Sequence, residues 1–173
     1  MKRILVFGNG GSGKSTLSVT LGDLLHLPVI HLDKYFWQPN WIATPVDDWN
    51  IIVESFSDSE EWIIDGNYSR TMNIRIKRAD LIIFLDMPNM LCLYRIFKRR
   101  IKYNRKTRPD MNEECTEKLD LEFIKWVWNF KKRNRAKILD KLEVASKTKR
   151  IIILKNRKQV NEFIEGLKNY KIK

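Results

Sequence analysis

Gly8-Asn9-Gly10-Gly11-Ser12-Gly13-Lys14-Ser15-Thr16 decides how this chain is read. The stretch fits the pattern G-x-x-x-x-G-K-[ST]. It lies between an apolar run, Ile4-Leu5-Val6-Phe7, and a helical pattern of leucines at 17, 21, 24 and 25. A strand before it and a helix after it turn the short pattern into a phosphate-binding loop. Glycines let successive backbone N–H groups point inward around a polyphosphate with no Cβ in the way. The following helix presents the positive end of its dipole to the same anion. Gly8, Gly10, Gly11, Ser12, Gly13 and Thr16 are therefore expected around a nucleoside triphosphate. Lys14 is expected to bridge the β- and γ-phosphates, and the Ser15 hydroxyl to ligate Mg²⁺.

Outward from the loop, apolar runs of strand length alternate with helical patterns. Strands are predicted at 2–7, 28–32, 62–65, 80–85 and 150–154. Helices are predicted at 13–26, 46–57, 69–78, 89–103, 116–130, 134–145 and 158–169. Continuous apolar runs such as Leu81-Ile82-Ile83-Phe84-Leu85 are what parallel strands covered on both faces look like. The alternation predicts an α/β fold with a five-stranded parallel sheet and helices on both faces, and the loop after its first strand makes it a P-loop NTPase fold. One domain over 1–173 is expected.

With 43% hydrophobic and 31% charged residues, the composition fits a soluble globular protein and argues against disorder. No run approaches the roughly 20 apolar residues of a membrane span. Met1-Lys2-Arg3 leads straight into the first strand, so no signal peptide is expected. Two cysteines, Cys92 and Cys115, make a disulfide framework unlikely to be the organising device and fit a reducing cytoplasm. With His26 and His31 as the only histidines, the usual zinc ligands are too few. The net charge of +12 is uneven: residues 1–94 carry 8 Lys/Arg against 11 Asp/Glu, and residues 95–173 carry 25 against 10. Such asymmetry suits either a nucleic-acid partner or a basic flap closing over phosphates.

Ligands of open parallel sheets bind beyond the carboxyl ends of the strands. The residues expected there are the P-loop, His31 to Asp33, Asp65 to Asn67 with Arg70 beyond, and Asp86. Asp65 is expected to face the metal, holding a water of its shell. Asp86 competes for that role, but Met87-Pro88 after it resembles a helix start. Tyr35, Phe36, Trp37, Trp41 and Trp49 crowd the segment after the second strand, where they either pack on the sheet or stack on a planar ring. Trp126, Trp128 and Phe130 are expected to pack in the core along a helix that includes Phe123.

The ordered set of these stretches resembles the small P-loop kinases related to adenylate kinase, shikimate kinase and gluconate kinase. Within that group it is most similar to the bacterial DNA-topology-modulation protein family. The resemblance spans nearly the whole chain. It rests on 8–16, on Pro28-Val29-Ile30-His31-Leu32-Asp33 with Phe36-Trp37, and on Trp62-Ile63-Ile64-Asp65-Gly66-Asn67-Tyr68. It continues through Thr107-Arg108-Pro109-Asp110-Met111 and from Leu119-Asp120-Leu121-Glu122-Phe123 to Phe130. It implies ATP and Mg²⁺ as cofactors, a substrate-binding segment at about 33–60 after the second strand, and a mobile, basic helical lid after the fourth strand, at about 95–135. It also implies an aspartate at Asp33 that contacts the acceptor hydroxyl, and a metal-linked aspartate at Asp65. The adenylate-kinase motif Asp-Gly-Phe-Pro-Arg is only partly kept: Asp65-Gly66 match, the proline is absent and Arg70 comes one residue late. That argues against a nucleoside monophosphate acceptor.

On this reading the expected catalytic residues are Lys14, Asp33, Asp65, Arg99, Arg108 and Arg133, with Arg100, Arg105 and Arg135 as further lid candidates. Substrate contacts fall to Asp33, Trp37, Asn67 and Arg70, and Arg157 with Asn156 stands where such kinases hold adenine. The expected activity is an ATP- and Mg²⁺-dependent phosphotransferase for a small hydroxyl-bearing acceptor such as a nucleoside. The alternative is a nucleic-acid-linked ATPase or regulator affecting DNA topology, although no helix-turn-helix or zinc-finger signature occurs. A GTP-type switch ranks last, because no Asn-Lys-x-Asp stretch is present.

Overall fold

The computed structural model describes residues 1–104, 106–116 and 120–171. Along the chain run β1 (Arg3–Gly8), α1 (Lys14–Leu25), β2 (Val29–His31), α2 (Leu32–Phe36), β3 (Trp37–Gln38), β4 (Ile42–Ala43) and α3 (Val46–Asp58). They are followed by β5 (Trp62–Asp65), α4 (Met72–Arg78), β6 (Leu81–Leu85), α5 (Asn89–Lys102) and α6 (Leu121–Phe130). A π-helical turn (Lys131–Arg135), α7 (Ala136–Ser146), β7 (Arg150–Leu154) and α8 (Arg157–Lys171) complete the order. Five strands form one parallel sheet in the order β2-β5-β1-β6-β7. No described helix is long and apolar enough to cross a membrane.

The strands are apolar along their middles, with polar residues such as Arg3, His31, Asp65 and Arg150 at their ends, because alternate residues serve opposite covered faces. Leu5 and Phe7 of β1 with Ile82 and Phe84 of β6 pack against α3, α4 and α7 through Trp49, Val53, Met72 and Leu142. Ile4 and Val6, with Leu81, Ile83 and Leu85, face α1, α5, α6 and α8 through Leu17, Leu21, Cys92, Ile96 and Val127. Both faces are thereby closed, and the carboxyl edge is left as the open side of the sheet.

The five strands form within one residue of their expected limits. The helices depart further. The helix expected at 116–130 begins at Leu121, because the Asp120 side chain caps it by accepting from the Glu122 N–H at 2.8 Å. The helix expected at 69–78 begins only at Met72. The helices expected at 116–130 and 134–145 run on without a break through the π-helical turn, which takes up the register change. The short α2 and the β3–β4 hairpin, joined by a tight turn at Pro39–Trp41, are too brief to show a period in sequence. Trp128 is 53% exposed, against the expectation of a core residue. The inward stripe of α6 is Phe123, Val127 and Phe130, and position 128 falls off it. Arg105 and Leu119 lie outside the described residues.

Gly22 sets how closely α1 approaches the edge strand. A Cβ there would overlap Val29 Cγ2 and come 3.2 Å from the Leu27 carbonyl oxygen. Alanine normally gains about 1 kcal/mol over glycine in a helix, while overpacking of this kind costs about 1–3 kcal/mol. Gly22→Ala is therefore expected to lower thermal stability, at about 2–4 °C of Tm per kcal/mol for a chain of this size. A raised Tm by differential scanning calorimetry would show that the contact is slack.

Candidate active site

One cleft of about 1320 Å³ opens at the carboxyl edge of the sheet. Its lining includes Lys14, Ser15 and Thr16 of the P-loop and helix start, Asp33, Trp37 and Trp49 from the segment after β2, and Arg99, Arg108 and Asp110 from the second half of the chain. The volume exceeds the roughly 300–1,000 Å³ typical of a single-ligand pocket. Two ligands can lie in it side by side.

The P-loop owes its curvature to backbone that only glycine adopts readily. Gly11 and Gly13 have φ of +73° and +100°, and a Cβ on Gly11 would strike the Cys92 carbonyl oxygen. Gly13 also caps α1. The loop is braced from three sides. Asn67 Oδ1 accepts the Gly8 N–H at 3.0 Å, Asn9 Nδ2 donates to the Val127 carbonyl at 2.9 Å, and Arg95 Nη1 donates to the Ser12 carbonyl at 2.9 Å. Lys14 Nζ donates back to the Asn9 carbonyl at 3.1 Å. Burial lowers the Lys14 pKa, with Asp33 and Asp65 opposing the shift.

Two carboxylates stand after the strands next to the loop. Asp33 Oδ1 accepts the Tyr68 O–H at 2.7 Å, and burial together with that carboxylate keeps the phenol protonated. Asp65 is 2% exposed, does not line the cleft, and lies 2.7 Å from His31 Nδ1. Burial lowers the His31 pKa, but the bond to Asp65 outweighs it and the net shift is upward. Asp86 is held by Lys131 at 3.1 Å and Arg135 at 2.9 Å, well integrated into the α6–α7 junction. Phe36 contacts the rings of Trp37, Trp49 and Tyr68 at 4.6–5.0 Å between centroids. Trp41 meets Trp37 at 5.5 Å. The aromatic residues thus pack on one another and still present one side to the cleft.

The expected site residues divide by location. Gly10, Gly11, Gly13, Lys14, Ser15, Thr16, Asp33, Trp37, Asn67, Arg70, Arg99 and Arg108 all line the cleft. Gly8 and Ser12 support the loop from behind, Ser12 at 1% exposure. Arg133 and Arg157 are exposed and do not line it, so the structure does not bring them to the other candidates. Arg133 sits on the π-helical turn, where the outward side of the continuous helix carries it away. Arg157 opens α8 beyond the last strand.

Three residues had no place in the sequence-based site. Tyr68 orients Asp33, and Asp110 accepts the Ser15 hydroxyl at 2.8 Å and Arg108 Nη1 at 2.9 and 3.1 Å. Arg75, fully buried, donates to the carbonyls of Gly66 at 2.9 Å, Tyr68 at 2.6 Å and Thr71 at 3.4 Å. It pins the whole turn that carries Asn67 and Tyr68. Burial lowers its pKa to about 10, so it remains cationic at neutral pH. In sequence it reads as one more basic residue in the last turn of a helix.

Neither a protein-family model nor a curated protein matches the chain. Solved structures do. A shikimate kinase from Acinetobacter baumannii in complex with shikimate is similar at a TM-score of 0.55 and 10% identity, covering 99% of this chain and 93% of that one. A gluconokinase from Sinorhizobium meliloti 1021 is similar at 0.54 and 16%, covering 98% and 93%. A shikimate kinase from Bacteroides thetaiotaomicron is similar at 0.51 and 16%, covering 99% of each chain. At these identities the likeness shows the fold alone, a P-loop α/β fold shared with these structures.

Replacing Arg75 by Met removes the donors of three main-chain carbonyls at a buried turn. The expected loss is about 3 kcal/mol of unfolding free energy, read as a lower urea midpoint. Arg75→Lys should recover only part, since an ammonium cannot fork to separate carbonyls. A Met variant within about 1 kcal/mol of the parent, less than one lost buried hydrogen bond, would mean that water replaces the guanidinium.

Proposed function

We propose that the chain transfers the γ-phosphoryl group of ATP to a small hydroxyl-bearing acceptor, a nucleoside or a related metabolite. The observation that carries this reading is the meeting in one cleft of Lys14 and Ser15 with Asp33 and an aromatic wall. In the reaction, the acceptor hydroxyl attacks the γ-phosphorus while the bond to the β-γ bridging oxygen breaks, and ADP leaves. Asp33, held by the Tyr68 O–H, orients the hydroxyl and takes its proton. Lys14 draws the β- and γ-phosphates onto the loop, and Arg99 and Arg108 meet the charge spread over the transferring oxygens.

Mg²⁺, when bound, neutralises charge on the β- and γ-oxygens. The oxygen donors of the cleft lining suit a hard cation. Ser15 offers its hydroxyl, and Asp65 stands one layer behind through His31. Trp37, Asn67 and Arg70 border the acceptor side. Arg70 provides for an anionic group on the acceptor, and the rings for a flat one. The alternative, a nucleic-acid-linked ATPase affecting DNA topology, draws on the positive charge of residues 95–173 and makes no use of Asp33 or the aromatic wall.

The test is ADP release with Mg·ATP across nucleosides, nucleotides, sugars, hydroxy acids and duplex DNA. Acceptor-dependent turnover is expected, falling by about 100-fold or more in Lys14→Ala. In Asp33→Asn kcat is expected to fall by a similar factor of about 10²–10⁴ with ATP affinity kept. Intact ATP binding with no phosphorylated product from any acceptor would overturn the kinase reading. Stimulation by DNA alone would favour the alternative.

A further inference from the structure

The shortest contact between the P-loop and the far part of the chain joins two oxygens. Ser15 Oγ lies 2.8 Å from Asp110 Oδ2, across 95 positions of sequence. Both belong to the cleft lining, and the Asp110 side chain keeps only 17% exposure. Lys14 Nζ, the group that a bound phosphate would attract, turns instead to the Asn9 carbonyl. The carboxylate therefore stands at the hydroxyl edge of the loop and leaves the lysine alone.

That spacing has a chemical meaning. Mg²⁺ binds oxygens octahedrally at 2.0–2.1 Å, so adjacent ligands in its shell lie about 2.8–3.0 Å apart. Two oxygens already 2.8 Å apart have the separation of one edge of such a shell, which the Ser15 hydroxyl would join by turning its retained proton away from Asp110. A phosphate-bound Mg²⁺ commonly takes one or two carboxylates from the protein. Asp65 does not supply one directly, since it is buried behind His31 and does not reach the cleft. Arg108 Nη1 donates to both oxygens of the Asp110 carboxylate, at 2.9 and 3.1 Å.

Asp110 also arrives on a segment with a second attachment. Residues 114–116 reach the β3–β4 hairpin on the acceptor side: Trp41 Nε1 donates to the Thr116 carbonyl at 3.2 Å and Cys115 Sγ to the Gln38 carbonyl at 3.2 Å. Asn40 Nδ2 meets Glu114 Oε2 at 3.4 Å. The segment that carries the carboxylate is thereby tied to the acceptor wall.

We propose that Asp110 is a direct ligand of the nucleotide's divalent cation, completing with the Ser15 hydroxyl a metal site that exists only when the 106–116 segment lies across the cleft. The proposal rests on the nucleotide-binding reading above. Arg108, which grips the same carboxylate, is thereby held beside the phosphates.

The experiment uses the full chain and Mn²⁺ as probe, with free Mn²⁺ counted by electron paramagnetic resonance. ADP affinity is first measured in EDTA; no ADP binding by the parent protein would defeat the nucleotide reading itself, separately from the metal proposal. At saturating ADP, Asp110→Asn is expected to weaken Mn²⁺ binding by about tenfold or more. Asp110→Cys should shift preference from Mn²⁺ to Cd²⁺ relative to the parent, because a thiolate is a soft ligand. Loss of a merely structural contact would not produce that shift. Mn²⁺ affinity retained within twofold in Asp110→Asn, or unaltered metal preference in Asp110→Cys, would each overturn the proposal.

Discussion

The whole arrangement depends on the P-loop keeping its shape. A loop of glycines has the largest conformational entropy to lose, so its curvature must be imposed by what surrounds it. The surroundings come from three distant parts of the chain. Asn67 holds Gly8 from the turn after β5, Val127 of α6 holds Asn9, Arg95 of α5 holds Ser12, and Cys92 leaves space only for glycine at position 11. Asn89 extends the same brace, bonding Asn9 at 3.2 Å and the Trp128 carbonyl at 2.6 Å. The hydrogen-bonded braces fix direction as well as distance. The loop's curvature is thus set by the rest of the fold, which reduces the ordering that any ligand of the loop has to supply.

What the sequence revealed of this arrangement follows from the range over which each signal acts. Strands such as Leu81–Leu85 are legible because burial on both faces leaves no polar position. The P-loop is legible because its chemistry is written in nine consecutive residues. The hairpin at 37–43 is not, since two-residue strands have no period to detect. Arg75 is hidden for another reason: its partners are carbonyls, and a main-chain acceptor leaves no mark in sequence. Asp110 sits in a stretch without regular structure, and only the fold brings it against Ser15. Trp128 shows the opposite failure, an apolar residue taken as core that the helix phase turns to solvent.

The positive charge of the second half resolves into separate tasks. Lys131 and Arg135 neutralise Asp86 where α6 passes into α7, and Arg95 closes on the P-loop backbone. Arg99, Lys102 and Arg108 border the cleft, and Arg133 and Arg157 do not. A count of basic residues therefore overstates the field at the site, because charges on the outer faces of α7 and α8 are screened within about 8–10 Å at physiological salt. The basic side chains of the second half that line the cleft are the few carried by α5 and the segment after it.

Position in the chain gives that segment its importance. It meets the P-loop through Ser15 and Asp110 and the acceptor wall through Trp41 and Thr116, so one stretch of backbone touches both halves of the cleft. Any ligand that favours the segment's closed placement favours it for the other ligand also, and the coupling must be equal in both directions. For a phosphotransferase this matters because water competes with the acceptor hydroxyl for the γ-phosphate. On the proposed reading the metal carboxylate and the acceptor wall share one strap, so each ligand favours the placement that the other needs. The same linkage explains why the aromatic residues pack on one another so closely: a wall that must hold the strap in register has to be rigid before the acceptor arrives.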